Sequence, residues 1–163
     1  MVQPLLDSLR QVSPYQRLLA GLRAGDQLPG LALPRAARLP LLAALYSDLE
    51  RPIVMITERS DHALQLHDEL SFWLPDASRY IFSEPNPLFY EDAAWGTATR
   101  RERLQTLTRL AAYHLPFLEE TGSPPIVITS ARALMTRTLP RRDFLKASTQ
   151  IKVGQTLSLN SLL

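Results

Sequence analysis

Leucines and other apolar residues recur at helical spacing along much of the chain. Between residues 4 and 22 they fall every three or four positions, which predicts an amphipathic helix interrupted at Pro14, with Ser13 as a cap. Further helices are predicted at 36–49, at 60–73 with a cap at Ser60 or Asp61, at 97–114 and at 130–138. The helix at 97–114 is expected to turn four apolar side chains inward, those of Leu104, Leu107, Leu110 and Ala111.

Short apolar runs between these helices predict strands. They lie at 28–33, Ile53–Thr57, 79–82, 126–129 and 150–153. The run Ile53–Thr57 is rich in β-branched residues and apolar at nearly every position, so we expect a strand buried on both faces. Strands that alternate with helices favour an α/β fold, a parallel sheet with flanking helices wound by right-handed crossovers.

The end of the chain breaks this regular pattern. Gly154 and Gln155 predict a turn, and Ser158 resembles the cap of a helix that has only five further residues. We therefore expect the chain to be a fragment of a longer protein, with a domain junction near Pro140.

Composition narrows the class of protein. The 163 residues suit one ordinary domain, and 45% hydrophobic with 21% charged residues is typical of a soluble globular chain. The net charge of +2 is too small to argue for nucleic-acid binding by itself. The absence of cysteine excludes disulfides and thiolate metal sites. No apolar run is long enough to span a membrane and no signal peptide begins the chain, so we expect a cytoplasmic protein with no membrane partner.

The turn predicted between the strand at 28–33 and the next helix is where a nucleotide-binding α/β protein carries G-x-x-x-x-G-K-[ST]. Here Ala32 and Ala37 stand at the glycine positions, Arg38 at the lysine and Leu39 at the hydroxyl residue. The Cβ of alanine obstructs the close approach of backbone to phosphate, and leucine cannot bind magnesium. This degenerate loop predicts no bound cofactor and no catalysis.

Other candidate residues each have a simpler structural explanation. Arg35 with Arg38 could hold a phosphate, but a solvated helix start is favoured because glycine-freed amides are missing. His62 and His67 point about 140° apart on one helix, so we expect no metal site. Ser130 has no histidine–acid pair beside it, so we expect no serine nucleophile. Two larger groups are candidates for nucleic-acid contact. The first contains the charged residues Arg100, Arg101, Glu102, Arg103 and Arg109, for which a solvated helix face is favoured instead. The second contains the loop aromatics Phe89, Tyr90 and Trp95, for which packing over the sheet edge is favoured instead.

Several blocks, taken in order, resemble the N-terminal module of the bacterial transcription-repair coupling factors. The blocks are residues 52–57, 63–70, 88–92, 103–110, 126–137 and 153–157. Residues 126–137, IVITSARALMTR, are similar to that family's V-V-T-S-V-R-A-L-L-Q-R. Residues 88–92 are similar to its loop motif W-x-x-L-P-Y-E, with Phe89 in place of proline. The related excision-nuclease subunit UvrB is an ATPase with an intact loop at the turn that is degenerate here.

The resemblance implies a non-catalytic module in a UvrB-like, P-loop NTPase type of fold. It implies an N-terminal helical segment at 1–25, the α/β domain at 26–140, and the start of a UvrA-binding subdomain at 141–163. UvrA and other domains of the same protein are the implied partners, while RNA polymerase and DNA are bound by domains farther along. The alternative is an ATP-dependent excision-repair or helicase subunit with an atypical phosphate loop.

Overall fold

The computed structural model describes residues 2–28, 30–87, 93–114 (without the side chain of His114), 123–149, 151, 153–156 and 158. Within these residues the chain forms a three-stranded parallel sheet flanked by helices, so the predicted α/β class is confirmed. None of the described helices combines the length and the hydropathy that crossing a membrane requires.

The sheet is built around its last strand. Strands β1 (Ile53–Thr57), β2 (Arg79–Phe82) and β3 (Ile126–Ser130) lie in the order β1-β3-β2, and both pairings are parallel. Ile126 pairs with Ile53 on one side and with Arg79 on the other. All five residues of β3 are buried, as expected for a central strand covered on both faces.

Strand β1 is an edge strand, and the expectation that both its faces are buried is wrong. Val54 is 54% exposed and Ile56 is 60% exposed, whereas Ile53 and Met55 pack against the core on the opposite face. Apolar β-branched residues favour an extended backbone whether or not a neighbouring element covers them. The composition of this run therefore predicts the strand correctly but does not reveal its position in the sheet.

Helices occupy most of the rest of the described chain. They are α1 (Gln3–Arg10), α2 (Ser13–Ala24), α3 (Arg35–Leu49), α4 (Ser60–Trp73), α5 (Thr97–His114), α6 (Ala131–Met135) and α7 (Arg141–Ala147). The interruption near Pro14 is confirmed, but Ser13 is already helical and Val12 is the cap residue. At α4 the cap residue is Arg59, so Ser60 and Asp61 lie inside the helix.

The end of the domain differs more from expectation. Helix α6 is shorter than the predicted 130–138, and Ser130 is its cap, accepting a hydrogen bond from the Ala133 amide. Helix α7, which begins directly after Pro140, has no counterpart among the predicted helices. Its Phe144 and Leu145 line an apolar cavity of about 240 Å³ that Leu107 of α5 also lines.

Two predicted strands are missing from the described residues. Residues 30–34 have no regular structure, and Leu31 is 52% exposed. Proline at position 34 lacks an N–H for a strand ladder, which helps to explain why this apolar run stays irregular. In the run 150–153, Ile151 and Val153 lie outside any strand and are exposed, and Gln150 and Lys152 lie outside the described residues.

The predicted turn after that run is present, with Gly154 at φ +85°. A left-handed backbone of this kind suits glycine because it has no Cβ. The helix expected after Ser158 falls on residues outside those the structure describes.

Three apolar clusters hold the elements together. The largest lies between the sheet and helices α3 and α4 and contains Leu39, Tyr46, Ala63, Leu70, Ile126 and Ile128. A second joins helices α1 and α2 to α3 through Leu6, Tyr15, Ala43 and Ala44. The third covers the opposite face of the sheet and contains Phe82, Val127 and Ala133, with Leu107 and Leu110 of α5 packed on it.

The N-terminal helices are also held by a polar contact to Asp48 of α3. Arg10 donates from Nε to both carboxylate oxygens at 3.0 and 3.2 Å, and the Tyr15 hydroxyl donates to Oδ2. Tyr15 itself is buried. Burial and the adjacent Asp48 carboxylate together raise the pKa of the Tyr15 hydroxyl above its ordinary value.

Replacing Asp48 tests this anchor. Asp48→Ala leaves the buried Tyr15 hydroxyl without its acceptor and the half-buried Arg10 guanidinium with only the exposed Asp7, so the free energy of unfolding should fall by about 2–3 kcal/mol. Asp7→Ala is the matched control, because Asp7 also pairs with Arg10, at 2.9 Å, but is exposed. Asp7→Ala should lower the free energy of unfolding, measured by urea denaturation, by no more than about 0.5 kcal/mol. Equal losses for the two variants would contradict the anchor.

The raised pKa of Tyr15 predicts a pH dependence of stability. The folded protein keeps the hydroxyl neutral, whereas the unfolded chain ionises it near the ordinary value of about 10. The contribution of Tyr15 to stability is therefore complete below pH 10 and is lost as the pH rises above it. Wild type should unfold at higher urea than Tyr15→Phe near neutral pH, and this difference should shrink above pH 10. A difference that grows with pH would show that the sign is wrong.

Candidate functional site

The three strands end at one edge of the sheet, at Thr57, Phe82 and Ser130. Ligands of open parallel sheets bind outside the carboxyl ends of the strands, so this edge is the first place to seek a site. Two depressions of about 520 Å³ each lie there. One lies beside the carboxyl end of β1 and the first residues of α3, and the other beside the carboxyl ends of β2 and β3.

The residues predicted to form a degenerate phosphate loop do not form a turn between a strand and a helix. Ala32 is exposed in the irregular segment, while Ala37, Arg38 and Leu39 already belong to α3, which begins at Arg35. The predicted frame of strand, turn, helix and strand is therefore wrong in its first element. Leu39 is buried in the main core, so the position expected to carry a magnesium-binding hydroxyl serves packing instead.

The first depression carries charges of both signs. Arg35 and Arg38 line it together with Glu58, Glu69 and His62. A phosphate held by the two arginines would therefore lie near two carboxylates. This arrangement weakens the alternative of an arginine-based phosphate site.

The histidines contact carboxylates one at a time. His62 Nδ1 lies 3.3 Å from Glu58, and His67 Nδ1 lies 3.3 Å from the adjacent Asp68. Among the residues that the structure describes, no three histidine or carboxylate side chains come together as metal ligands would.

The second depression contains a polar cluster centred on Ser130. The Ser130 hydroxyl donates to Glu84 at 3.0 Å and accepts from the Ala133 amide at 3.1 Å. Glu84 is also paired with Arg132 at 2.9 Å. Both hydrogen-bonding directions of the hydroxyl are thus used to start α6 and to fix the segment after β2. This geometry positions a loop rather than activating a nucleophile.

Arg103 is buried behind this cluster and is only 2% exposed. Its guanidinium donates to three backbone carbonyls, those of Ser83, Ala133 and Thr136, at 2.9–3.3 Å. The guanidinium carbon also lies 3.9 Å from the ring centre of Phe82 and 4.8 Å from that of Trp95. Burial lowers the pKa of Arg103, but an arginine starts so high that the group stays charged at neutral pH.

The prediction that Arg103 belongs to an exposed charged group is therefore wrong. The prediction that the Leu104 side chain of the same helix points inward is also wrong. Leu104 is 51% exposed, whereas α5 buries Thr99, Arg103 and Thr106. These three positions follow the helical period as well as the leucines do, so period alone could have located this inner face. Their polarity concealed it, because buried polar residues need partners that the sequence does not show.

The loop aromatics are accounted for only in part. Trp95 packs against the Arg103 guanidinium, which agrees with packing rather than with a free stacking platform. Phe89 and Tyr90 lie outside the described residues.

Fold and site together define a small parallel α/β domain whose sheet edge is occupied by structural polar contacts. Two curated relatives are similar over nearly the whole chain. The transcription-repair-coupling factor of Myxococcus xanthus is 30% identical over 157 residues, 91% of this chain and 12% of the relative. The protein of the same name from Bacillus subtilis (strain 168) is 26% identical over 156 residues, 94% of this chain and 12% of the relative. No family model matches, and no solved structure gives a significant match.

These similarities confirm the resemblance found in the sequence. The chain is related to the transcription-repair coupling factors, and it spans about an eighth of the length of the relatives it matches.

The buried guanidinium can be tested by a conservative change. Arg103→Lys keeps the charge but cannot reach three carbonyls from one planar group, so the free energy of unfolding should fall by about 2–3 kcal/mol. Arg101→Lys, on an exposed position of the same helix, should change it by less than about 0.5 kcal/mol. Urea denaturation followed by circular dichroism measures both, and an unaffected Arg103→Lys variant would contradict the assigned role.

Proposed function

We propose that the chain is a non-catalytic module of a transcription-repair coupling factor. In this proposal it adopts a UvrB-like fold derived from P-loop NTPases, in which the phosphate loop has degenerated. The observation that carries the proposal is the start of α3. The positions of the missing loop fall in an irregular segment and in a helix whose Leu39 is committed to the core.

The module would act as a scaffold in transcription-coupled nucleotide excision repair. The names of the relatives support this pathway. UvrA and other domains of the same polypeptide are the proposed partners. The displacement of stalled RNA polymerase, and the translocation on DNA that it requires, would belong to domains farther along the protein. The uncovered face of β1, with Val54 and Ile56 exposed, is consistent with contact to another domain.

One observation favours a second candidate, an ATP-using repair subunit with an atypical loop. Arg35 and Arg38 line a depression of about 520 Å³ next to the carboxyl end of β1, where a nucleotide would be expected in an α/β enzyme. The carboxylates in the same depression oppose this reading.

Binding of Mg-ATP separates the two candidates. The scaffold proposal expects the melting temperature of the chain to stay within about 1 °C in saturating Mg-ATP. A ligand present at 100 times its dissociation constant would instead add about 2.7 kcal/mol, which is about 5–10 °C for a chain of this size. A shift of that size that Arg35→Gln/Arg38→Gln abolishes would establish the second candidate. Magnesium with inorganic phosphate controls for nonspecific ion effects.

A further inference from the structure

An arginine-lined groove runs along the outer edge of the sheet, between β2 and α5. It is open and shallow, with a volume of about 870 Å³, and Arg79, Tyr80, Thr97, Arg100, Arg101, Leu104, Gln105, Thr108 and Arg109 line it. Its position follows from the fold. Because β2 is an edge strand, no further strand lies beyond it among the described residues, and one flank of α5 faces that edge.

The structure changes the charge pattern that the sequence suggested for α5. Two members of the charged group do not line the groove. Arg103 is buried, and Glu102 accepts a hydrogen bond from Ser83 in the depression beside the carboxyl ends of β2 and β3. Arg79 joins the remaining arginines from the neighbouring strand. The objection that an acidic residue dilutes the basic patch therefore does not apply to the groove itself.

No carboxylate is among the described residues that line the groove. Both depressions at the carboxyl edge, in contrast, contain two glutamates each. Four arginines without an opposing charge repel one another and attract an anionic ligand.

Two of the groove's arginines are anchored to backbone carbonyls, and two are exposed. Arg109 donates to the Ser123 carbonyl at 3.1 Å, and Arg79 donates to the Leu74 carbonyl, so both side chains are held in place. Arg100 and Arg101 are exposed, and no ion pair with a described residue engages either of them. Positions 100 and 109 are about 13 Å apart along the helix axis, which matches three to four phosphate steps of one strand of a duplex.

We propose that this groove binds the phosphate backbone of a nucleic acid, giving the module a sequence-independent DNA contact of its own. Guanidinium groups are the side chains best matched to phosphate oxygens. Gln105 and Thr108 add neutral donors between the arginines, as is usual in backbone contacts. The groove shares no lining residue with the depression beside α3, so the proposed contact does not use that depression.

A nucleic acid fits the groove better than an acidic protein segment does. The lining offers cations and hydrogen-bond donors along its length, but its apolar lining is limited to the partly exposed Leu104 and the Tyr80 ring. Protein interfaces are anchored by buried apolar or aromatic side chains in pockets, and the described lining of the groove offers no such pocket.

Fluorescence anisotropy with the full chain and a labelled duplex of mixed sequence, about 20 base pairs long, tests the proposal. At low salt the chain should bind, and the logarithm of the association constant should fall with the logarithm of salt concentration with a slope of about −2 to −4. The double variant Arg100→Gln/Arg101→Gln should bind at least tenfold more weakly and show a slope smaller in magnitude by about 2.

The matched control is Arg141→Gln/Arg142→Gln, which removes the same net charge from an exposed pair on α7. It should bind like wild type, and circular dichroism should show all variants folded. Equal weakening by the two double variants would show that binding follows net charge alone and would overturn the groove. The absence of duplex binding at low salt would do the same. Polyglutamate that competes as well as unlabelled duplex would assign the groove to an acidic protein segment instead.

Discussion

The guanidinium of Arg103 is the contact on which the far side of the domain depends. One planar group ties the ends of β2 and α6 to the middle of α5, and two aromatic rings enclose it. Its acceptors are three carbonyls in buried or partly buried positions, where polar groups need hydrogen-bond partners. Among the described residues no carboxylate pairs with this buried cation, and carbonyl dipoles and ring faces compensate its charge. Because its acceptors lie on separate segments, the guanidinium holds these segments together.

The contacts of Arg103 are part of a set of polar contacts that hold the loops at the carboxyl edge of the sheet. In an α/β enzyme the loops at this edge are left free to contact a ligand. Here the segment after β2 is held by Glu84, Ser130 and Arg103, and the start of α3 contributes Leu39 to the core. The polar side chains at this edge therefore form hydrogen bonds that stabilise the loops.

Much of the fold could be predicted from the sequence, and the failures share a physical cause. The periods of α3, α4 and α5 and the β-branched runs at β1 and β3 are local signals, so they locate these elements well. Whether a strand is central or an edge depends on residues more than forty positions away, which is why the exposure of Val54 was not foreseen. The burial of Arg103 needed three carbonyl partners that only the folded chain brings together. Helix α7 was missed because a seven-residue helix after a proline carries too few periodic positions to stand out.

For the candidate sites, too, local features could be predicted from the sequence, whereas features that depend on distant residues could not. The absence of glycines and of a hydroxyl residue from positions 32–39 could be read directly from the sequence, since it concerns residue types at fixed spacing. The basic groove could not, because Arg79 and the arginines of α5 are separated in the sequence and meet only through the pairing of β2 with β3.

The position of β3 in the sheet has a consequence for how the protein is made. Within the described part of the chain, β1 and β2 each pair with β3 and not with each other. Thr129 of β3 forms hydrogen bonds with residues 72 and 47 positions earlier in the chain. Contacts between residues so far apart form late and slowly. During synthesis, no part of the sheet can close until β3 has emerged from the ribosome. The nascent chain therefore carries β1 and β2 unpaired until β3 has followed them, and during that interval unpaired strand edges can associate with other chains.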